Sequence, residues 1–383
     1  MHGGLLHLRG LGRSGDLDGP SSILVADGTI VAFDDAADAA ANGAAVLDAS
    51  GLTAVPGFIE LQVNGVAGHD FTSEPGTMWT VGADLARYGV TSFLPTIVTA
   101  PPGVADAALQ TFADGDAPRG AVPLGVHLEG PFLSPVRAGA HDSTHLREPD
   151  LDTIDAWVAT GAARIVTLAP ELPGADAAIE RLVAAGVVVA IGHTDADAST
   201  TSAAIDAGAR FATHLFNAMP PMLHRAPGAA GALLADDRVT VGIILDGHHL
   251  DPTVARLIAR AALGRIALVS DAIAGLGLPD GRHRLGDADA VVSHGSARRD
   301  DGTLAGSVVG LDACVRALAE LTGSVRTAIE AVTSTPARLL GLDDGRGRIA
   351  VGGRADLVLL DDELRVRRTL VAGETAWLAA RSA

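Results

Sequence analysis

The residues best equipped for chemistry in this chain are polar side chains that interrupt or end apolar runs. One run carries His127 and Glu129 in VHLEG, another ends at His193 in AIGHT, and a third holds His214 in ATHLF. Others lead to Asp246 and His249 in ILDGHH and to Asp271 in LVSDA. The earliest, TAVPGFIELQVNG, gives way to Gln62 and Asn64, two apart and so on one side of an extended strand. Alone, each is ordinary: a strand-end histidine is usually hydrogen-bonded, and an aspartate after a strand usually caps a turn. Repeated in run after run, such groups cost desolvation unless they share a partner, and a metal ion is the economical partner. Two imidazoles and one glutamate make a catalytic zinc set with an open position, and no cysteine takes part, which excludes a Cys-rich structural site. Asp271 is then the spare acid or base. Zinc lowers the pKa of a bound water to about 7, and a nearby carboxylate takes that proton and returns it to a leaving group. The chemistry indicated is hydrolysis of an amide, ester or related bond.

For these residues to meet, the runs must be strands whose ends share one face. Eight runs recur, at 53–61, 89–98, 121–129, 163–171, 186–194, 209–216, 239–247 and 264–272. Near-continuous apolar runs are the mark of buried parallel strands. Helix-like segments follow most of them, most clearly GADAAIERLVAAG and PTVARLIARAAL. The pattern predicts an α/β fold, a (β/α)8 TIM-type barrel, whose strand C-termini form the catalytic face. A doubly wound open sheet is the alternative, because the segment after Phe216 is rich in Pro and Gly rather than plainly helical. Residues 275–307 exceed an ordinary loop and read as a substrate-covering lid. Both termini differ in kind from the middle. SSILVADGTIVAF, with its Asp27-Gly28 hairpin signal, and RIAVGGRADLVLLDDELRVRRTLVAGE read as short strands and turns. Residues 1–53 plus 345–383 are expected to pair into one small β-sandwich, with the barrel, 54–344, inserted between its halves.

The chain has 383 residues, 48% of them hydrophobic, so a large core is available and disorder is not expected. A formal net charge of −18 disfavours nucleic acid and anionic membranes as partners. All 28 basic residues are arginine, which excludes Schiff-base chemistry and a P-loop lysine and leaves an anionic ligand to Arg, His or backbone N–H groups. The one cysteine, Cys314, sits in an apolar helix-like run and reads as a buried structural thiol; no intrachain disulfide can form, as in a reducing compartment. MHGGLLHLRGLGRSGDLDG contains no sustained apolar segment, so neither a leader nor a membrane span is expected, and the default location is the cytoplasm.

Longer stretches carry a resemblance. HLEGPFLSPVRAGAHD, GHTDAD, THLFNAMPPMLHRAPG, SDAIAGLGLPDG and DGTLAGS, with PGFIELQVNG before them and STPARLLGL and GRADLVLLD after, are similar in order and spacing to the N-acetylglucosamine-6-phosphate deacetylases of the amidohydrolase superfamily. The resemblance runs over essentially the whole chain. It implies a metal-bearing barrel that hydrolyses the acetamide of N-acetyl-D-glucosamine 6-phosphate to acetate and D-glucosamine 6-phosphate. It implies Glu129, His193 and His214 as metal ligands, Asp271 as general acid/base, and His141 as the donor to the acetyl oxygen. Ala140 and His141 would shape the acetyl pocket, Asn217 and the backbone of Ala218 would contact the sugar phosphate, and Arg225 and His249 would clamp phosphate and sugar, some of these across a homodimer interface. An arginine fits that role in a chain without lysine. Two other readings stand beside this one: a deacetylase for another phosphorylated amino sugar such as N-acetylgalactosamine 6-phosphate, and a metal-free structural or regulatory barrel.

Related hydrolases place a His-x-His pair where Gln62 and Asn64 stand, and amides are poor zinc ligands. One divalent ion per chain is therefore expected, with zinc as the default and iron, manganese or cobalt also compatible. Gln62 and Asn64 would then contact ligands or water beside the vacated position.

Overall fold

A computed structural model describes residues 4–380; residues 1–3 and 381–383, the outermost parts of the two terminal segments, lie outside the described residues. Eight strands form the barrel, β1 Phe58–Val63, β2 Val90–Val98, β3 Val126–Glu129, β4 Ala163–Leu168, β5 Val188–Ile191, β6 Phe211–Ala212, β7 Thr240–Ile243 and β8 Ile266–Leu268, and a two-residue strand, Val122–Pro123, also pairs with β2 just before β3. Each of the eight pairs in parallel with the next in chain order. A parallel bridge between Val63 and Ala272 closes the ring, reinforced by Asp271 N–H to the Gln62 carbonyl at 2.9 Å and Asn64 N–H to the Ala272 carbonyl at 2.7 Å. The fold is a (β/α)8 barrel and not an open sheet.

The runs read as continuous because both strand faces are covered. All six residues of β1 are buried. Inside the ring Ile59, Leu61, Leu94, Ile165, Ala190, Phe211, Ile244, Ala267 and Val269 pack together, the filled interior expected of a TIM barrel. Outside it the helices bury their apolar stripes. The helices Leu151–Ala159, Ala198–Asp206 and Pro252–Ala261 each start on an aspartate, Asp150, Asp197 or Asp251, whose carboxylate accepts a first-turn N–H. After Phe216 the chain does form a helix, Gly228–Ala235, and five of its eight residues are buried. A helix apolar on every side carries no amphipathic period, which is why the sequence there does not look helical.

The first apolar run divides at Gly57. Thr53–Pro56 pairs antiparallel with Leu357–Leu360, in a sheet completed by Val366–Val371 and Glu374–Leu378. Only after Gly57 does the chain enter β1; a Cβ at Gly57 would lie 2.1 Å from Thr91 Oγ1, so no larger residue fits the crossing. The second terminal sheet, ordered Thr29–Phe33, Ser22–Ala26, Leu5–Arg9 and Ala45–Asp48, includes the hairpin at Asp27-Gly28. Leu8, Ile23, Val25, Ile30, Leu357, Leu359 and Leu370 fill the space between the two sheets.

Residues 275–307 are not a loop. Gly281–Leu285, Ala288–Ser293, Ser296–Arg298 and Leu304–Ser307 form a four-stranded antiparallel sheet, with a small core of Ile273, Ala290, Val292, Ala297 and Ala305. Its last strand is bonded to the end of the barrel seam, Ser307 N–H to the Asp271 carbonyl at 2.8 Å. This insert stands as a wall at the C-terminal mouth.

Candidate active site

The mouth holds a cavity of about 370 Å³, lined among others by Asn64, Glu129, Ala140, His141, His193, His214, Asn217, Ala218, His249 and Asp271. Most of the residues singled out from the sequence therefore converge. Glu129 ends β3, while His193, His214 and Asp271 follow β5, β6 and β8. The last three lie in the left-handed region, with φ of 47°, 26° and 48°. For non-glycine residues this costs roughly 1–2 kcal/mol each. With Ala218, at 52°, four non-glycine residues lining one cavity share this backbone geometry.

Glu129, His193 and His214 can each bring one ligand atom to within 4.8 Å of the others. His193 Nε2 and His214 Nε2 face each other at 3.0 Å, and both approach Glu129 Oε1, at 3.3 and 3.0 Å. His193 Nδ1 donates to the Arg137 carbonyl at 2.9 Å, which leaves the Nε2 lone pair directed inward. Two converging imidazole lone pairs and one carboxylate oxygen, all buried, fit a divalent cation. Burial alone would raise Glu129, but His193 and His214 beside it hold its pKa well below the usual range when they carry their protons. His214 is desolvated too, yet the Glu129 carboxylate raises its pKa.

Gln62 and Asn64 tie this trio to Asp271. Gln62 Nε2 donates to Glu129 Oε1 at 3.1 Å and to Asp271 Oδ1 at 3.2 Å, and Asn64 Nδ2 donates to the same Asp271 oxygen at 2.8 Å. Their own amide oxygens are buried without a protein partner. Asp271 is pushed up to about 6, first by burial and then by the charge of Glu129. A carboxyl near that value exchanges a proton readily at neutral pH.

His141 is the second donor at the cavity. Its Nδ1 accepts the Thr99 backbone N–H at 3.3 Å, so the ring proton sits on Nε2, which lies 3.9 Å from Glu129 Oε2. Burial, followed by the neighbouring His193, pushes its pKa down to about 3, so at neutral pH it is a neutral N–H donor. His249 is also fixed through Nδ1, but as the donor. Asp246 Oδ2 accepts a hydrogen bond from its Nδ1–H at 2.7 Å, and burial of Asp246 is outweighed by this bond, which holds that carboxyl at about 2.

Two sequence candidates behave differently, and Cys314 is the buried thiol that its apolar run leads one to expect. His127 is satisfied at both nitrogens, by the Leu61 carbonyl at 3.0 Å and Thr167 Oγ1 at 2.8 Å, and is a structural residue beneath the site. Cys314 is fully buried in the helix Leu311–Thr322. Arg225 is exposed and does not line the cavity of its own chain. The arginine that does is Arg299, on the insert, which the sequence reading did not single out. Thr99 was also missed, because it acts through a backbone N–H that no side-chain pattern reveals.

Comparison with known proteins places this geometry. Residues 53–376 match the model of the amidohydrolase family. N-acetylglucosamine-6-phosphate deacetylase of Bos taurus is 42% identical over 346 residues, covering 86% of this chain and 85% of the relative. N-acetylgalactosamine-6-phosphate deacetylase of Escherichia coli O157:H7 is 39% identical over 327 residues, covering 84% and 87%. A variant of the Mycobacterium smegmatis N-acetyl-D-glucosamine-6-phosphate deacetylase, solved with N-acetyl-D-glucosamine 6-phosphate, superposes with a TM-score of 0.88 at 36% identity, covering 98% of this chain and 99% of the other. With its closed barrel, Glu/His/His cluster and adjoining aspartate, this chain belongs to the amidohydrolase family, in its N-acetylglucosamine-6-phosphate deacetylase branch.

Proposed function

We propose that this protein hydrolyses the acetamide of N-acetyl-D-glucosamine 6-phosphate, releasing acetate and D-glucosamine 6-phosphate. The observation that carries this reading is the closure of Glu129, His193, His214, Asp271 and His141 around one cavity in a chain of this family. A divalent ion held by the trio would acidify a water and polarise the amide carbonyl. Asp271, as carboxylate, takes the proton of the attacking water and passes it to the amide nitrogen as the C–N bond breaks. His141 Nε2–H donates to the carbonyl oxygen as negative charge develops there. Gln62 and Asn64 keep Asp271 aimed and leave two amide oxygens free for water. One ion per chain follows from amides standing where a second set of ligands would be needed. Zinc suits two imidazoles and a carboxylate, and iron, manganese and cobalt share that preference.

Asn217, Ala218, Ala140 and the free edge of His249 would hold the sugar phosphate. Arg225 would complete the phosphate contact from a second copy of the chain. Its loop is exposed and carries Met222 and Leu223 at 41% and 58% exposure, apolar surface that a homodimer contact would cover. Among the described residues no helix is long and apolar enough to cross a membrane, and a lone buried thiol suits a cytoplasmic location. N-acetylgalactosamine 6-phosphate is the second substrate reading, favoured by the similarity to the Escherichia coli relative. The intact trio and Asp271 argue against a metal-free regulatory barrel.

Steady-state assays should show acetate release from N-acetylglucosamine 6-phosphate, abolished by chelation. Activity unchanged in Asp271→Asn would sink the mechanism. Arg225→Ala should raise KM for the phosphorylated sugar far more than for the unphosphorylated one; equal effects would reject Arg225 as the phosphate contact.

A further inference from the structure

The insert Gly281–Ser307 is not needed to close the barrel, yet it touches both chemical ends of the cavity. At one end, Ser307 N–H is bonded to the Asp271 carbonyl at 2.8 Å and Ile273 N–H to the Ser307 carbonyl at 2.9 Å. At the other end, Arg299 Nη1 donates to the carbonyl of Ala140, a residue 159 positions away. The methyl of Ala140 packs against the insert core of Ile273, Ala290, Val292, Ala297 and Ala305. The next residue after Ala140 is His141. Its backbone N–H goes to the Ala138 carbonyl at 3.0 Å and its ring Nδ1 to Thr99 N–H at 3.3 Å.

Among the described residues Arg299 is the one arginine that lines the cavity. The neighbouring Asp300 is engaged by Arg282 at 2.8 Å, so the Arg299 guanidinium is directed to the carbonyl rather than to that carboxylate. A charged donor on a single carbonyl holds that peptide more firmly than a neutral contact does.

We propose that Arg299 is a positioning residue: by holding the Ala140 carbonyl it fixes the loop that presents His141 to the amide, and so makes the insert part of the catalytic apparatus. The proposal rests on the deacetylase reading. Arg299 acts through His141 and leaves the metal trio untouched. Losing it lets the His141 loop drift, and a displacement of about 1 Å in a catalytic group costs on the order of 10²-fold in rate.

The test uses the full-length, zinc-loaded chain and N-acetylglucosamine 6-phosphate. Arg299→Ala should lower kcat by about 10²-fold with KM changed by less than about threefold. Arg299→Lys, which keeps a cationic donor, should recover kcat to within about tenfold of wild type. In a His141→Ala background, Arg299→Ala should change kcat by less than about threefold, because the two losses are one. An unchanged kcat in Arg299→Ala, a loss confined to KM, or a full second loss in the His141→Ala background would each overturn the proposal. If the alanine chain does not fold, Arg299→Met keeps the apolar stem and takes the same place in every comparison. A wild-type chain that releases no acetate would overturn the deacetylase reading itself, a result distinct from an active wild type indifferent to Arg299.

Discussion

Replacing Asn64 by leucine should move the acidic limb of the pH–rate profile upward by about one unit. Asn64 Nδ2 donates to Asp271 Oδ1 at 2.8 Å, and Gln62 Nε2 donates to the same atom at 3.2 Å. Burial and the Glu129 charge push Asp271 up to about 6, and the Asn64 bond is among the groups that oppose them. A hydrogen bond to a charged group contributes about 1.5–3 kcal/mol, and one pKa unit corresponds to about 1.4 kcal/mol. Removing the bond therefore raises Asp271 by about 1–2 units, and the surviving Gln62 donor sets the lower end. The sign follows from the role. In the proposed mechanism Asp271 must be ionised to accept the water's proton, so kcat/KM rises with pH through its pKa, and leucine at 64 delays the rise. A dication held by the trio would lower this pKa in both proteins, so the observable is the displacement between variant and wild type. The assay is acetate release by zinc-loaded enzymes from about pH 5 to 9. A limb that stays in place, or moves to lower pH, would refute the reasoning.

Three further outcomes are expected. Glu60 accepts N–H bonds from Gln62 and Ser270, at 3.1 Å each, and burial raises its pKa from 4.5 to about 8. Between those values the folded chain binds a proton that the unfolded chain releases. Stability should thus fall with rising pH by about 1.4 kcal/mol per unit from this residue. In urea titrations at about pH 5.5 and 7.5, wild type should lose about 2–3 kcal/mol more than Glu60→Gln; equal losses would contradict the assignment. His193→Ala should weaken zinc binding at least about 100-fold in competition with a chromophoric chelator, and an unchanged affinity would remove His193 from the ligand set. Cys314 is fully buried and burial raises its pKa, so a thiol reagent should leave the native chain unlabelled and label it once in guanidinium; native-state labelling would refute this.

The parts of the fold legible in the sequence are those whose physics is local or repeated. Buried parallel strands wrote eight apolar runs, and Asp27-Gly28 wrote its hairpin, with both residues at positive φ, 48° and 77°. Glu129, His193, His214 and Asp271 stood out because ionisable groups at buried strand ends need a common partner. What did not show had nonlocal causes. The split of 53–61 at Gly57 depends on pairing with Leu357–Leu360, some 300 residues on. The helix Gly228–Ala235 lost its period to burial on all sides. The insert's strands are half exposed and short, so their alternation is weak. Arg299 lay in the run SARRDDG with no local cue separating it from Arg298; only the insert's docking against Ala140 distinguishes them.

The joint between β8 and β1 has a consequence for how the chain is made. Asp271 is fastened to Gln62 and Asn64, 209 and 207 positions earlier, by side-chain bonds, and the same residues supply the backbone bonds that shut the ring. On a ribosome the first strand emerges long before its partner. The three candidate ligands are all made once His214 has been made, but Asp271, the proton acceptor of the proposed mechanism, follows 57 positions later. Every ligand of the trio precedes Asp271 in the chain, whereas the seam exists only once Asp271 has docked on Gln62 and Asn64.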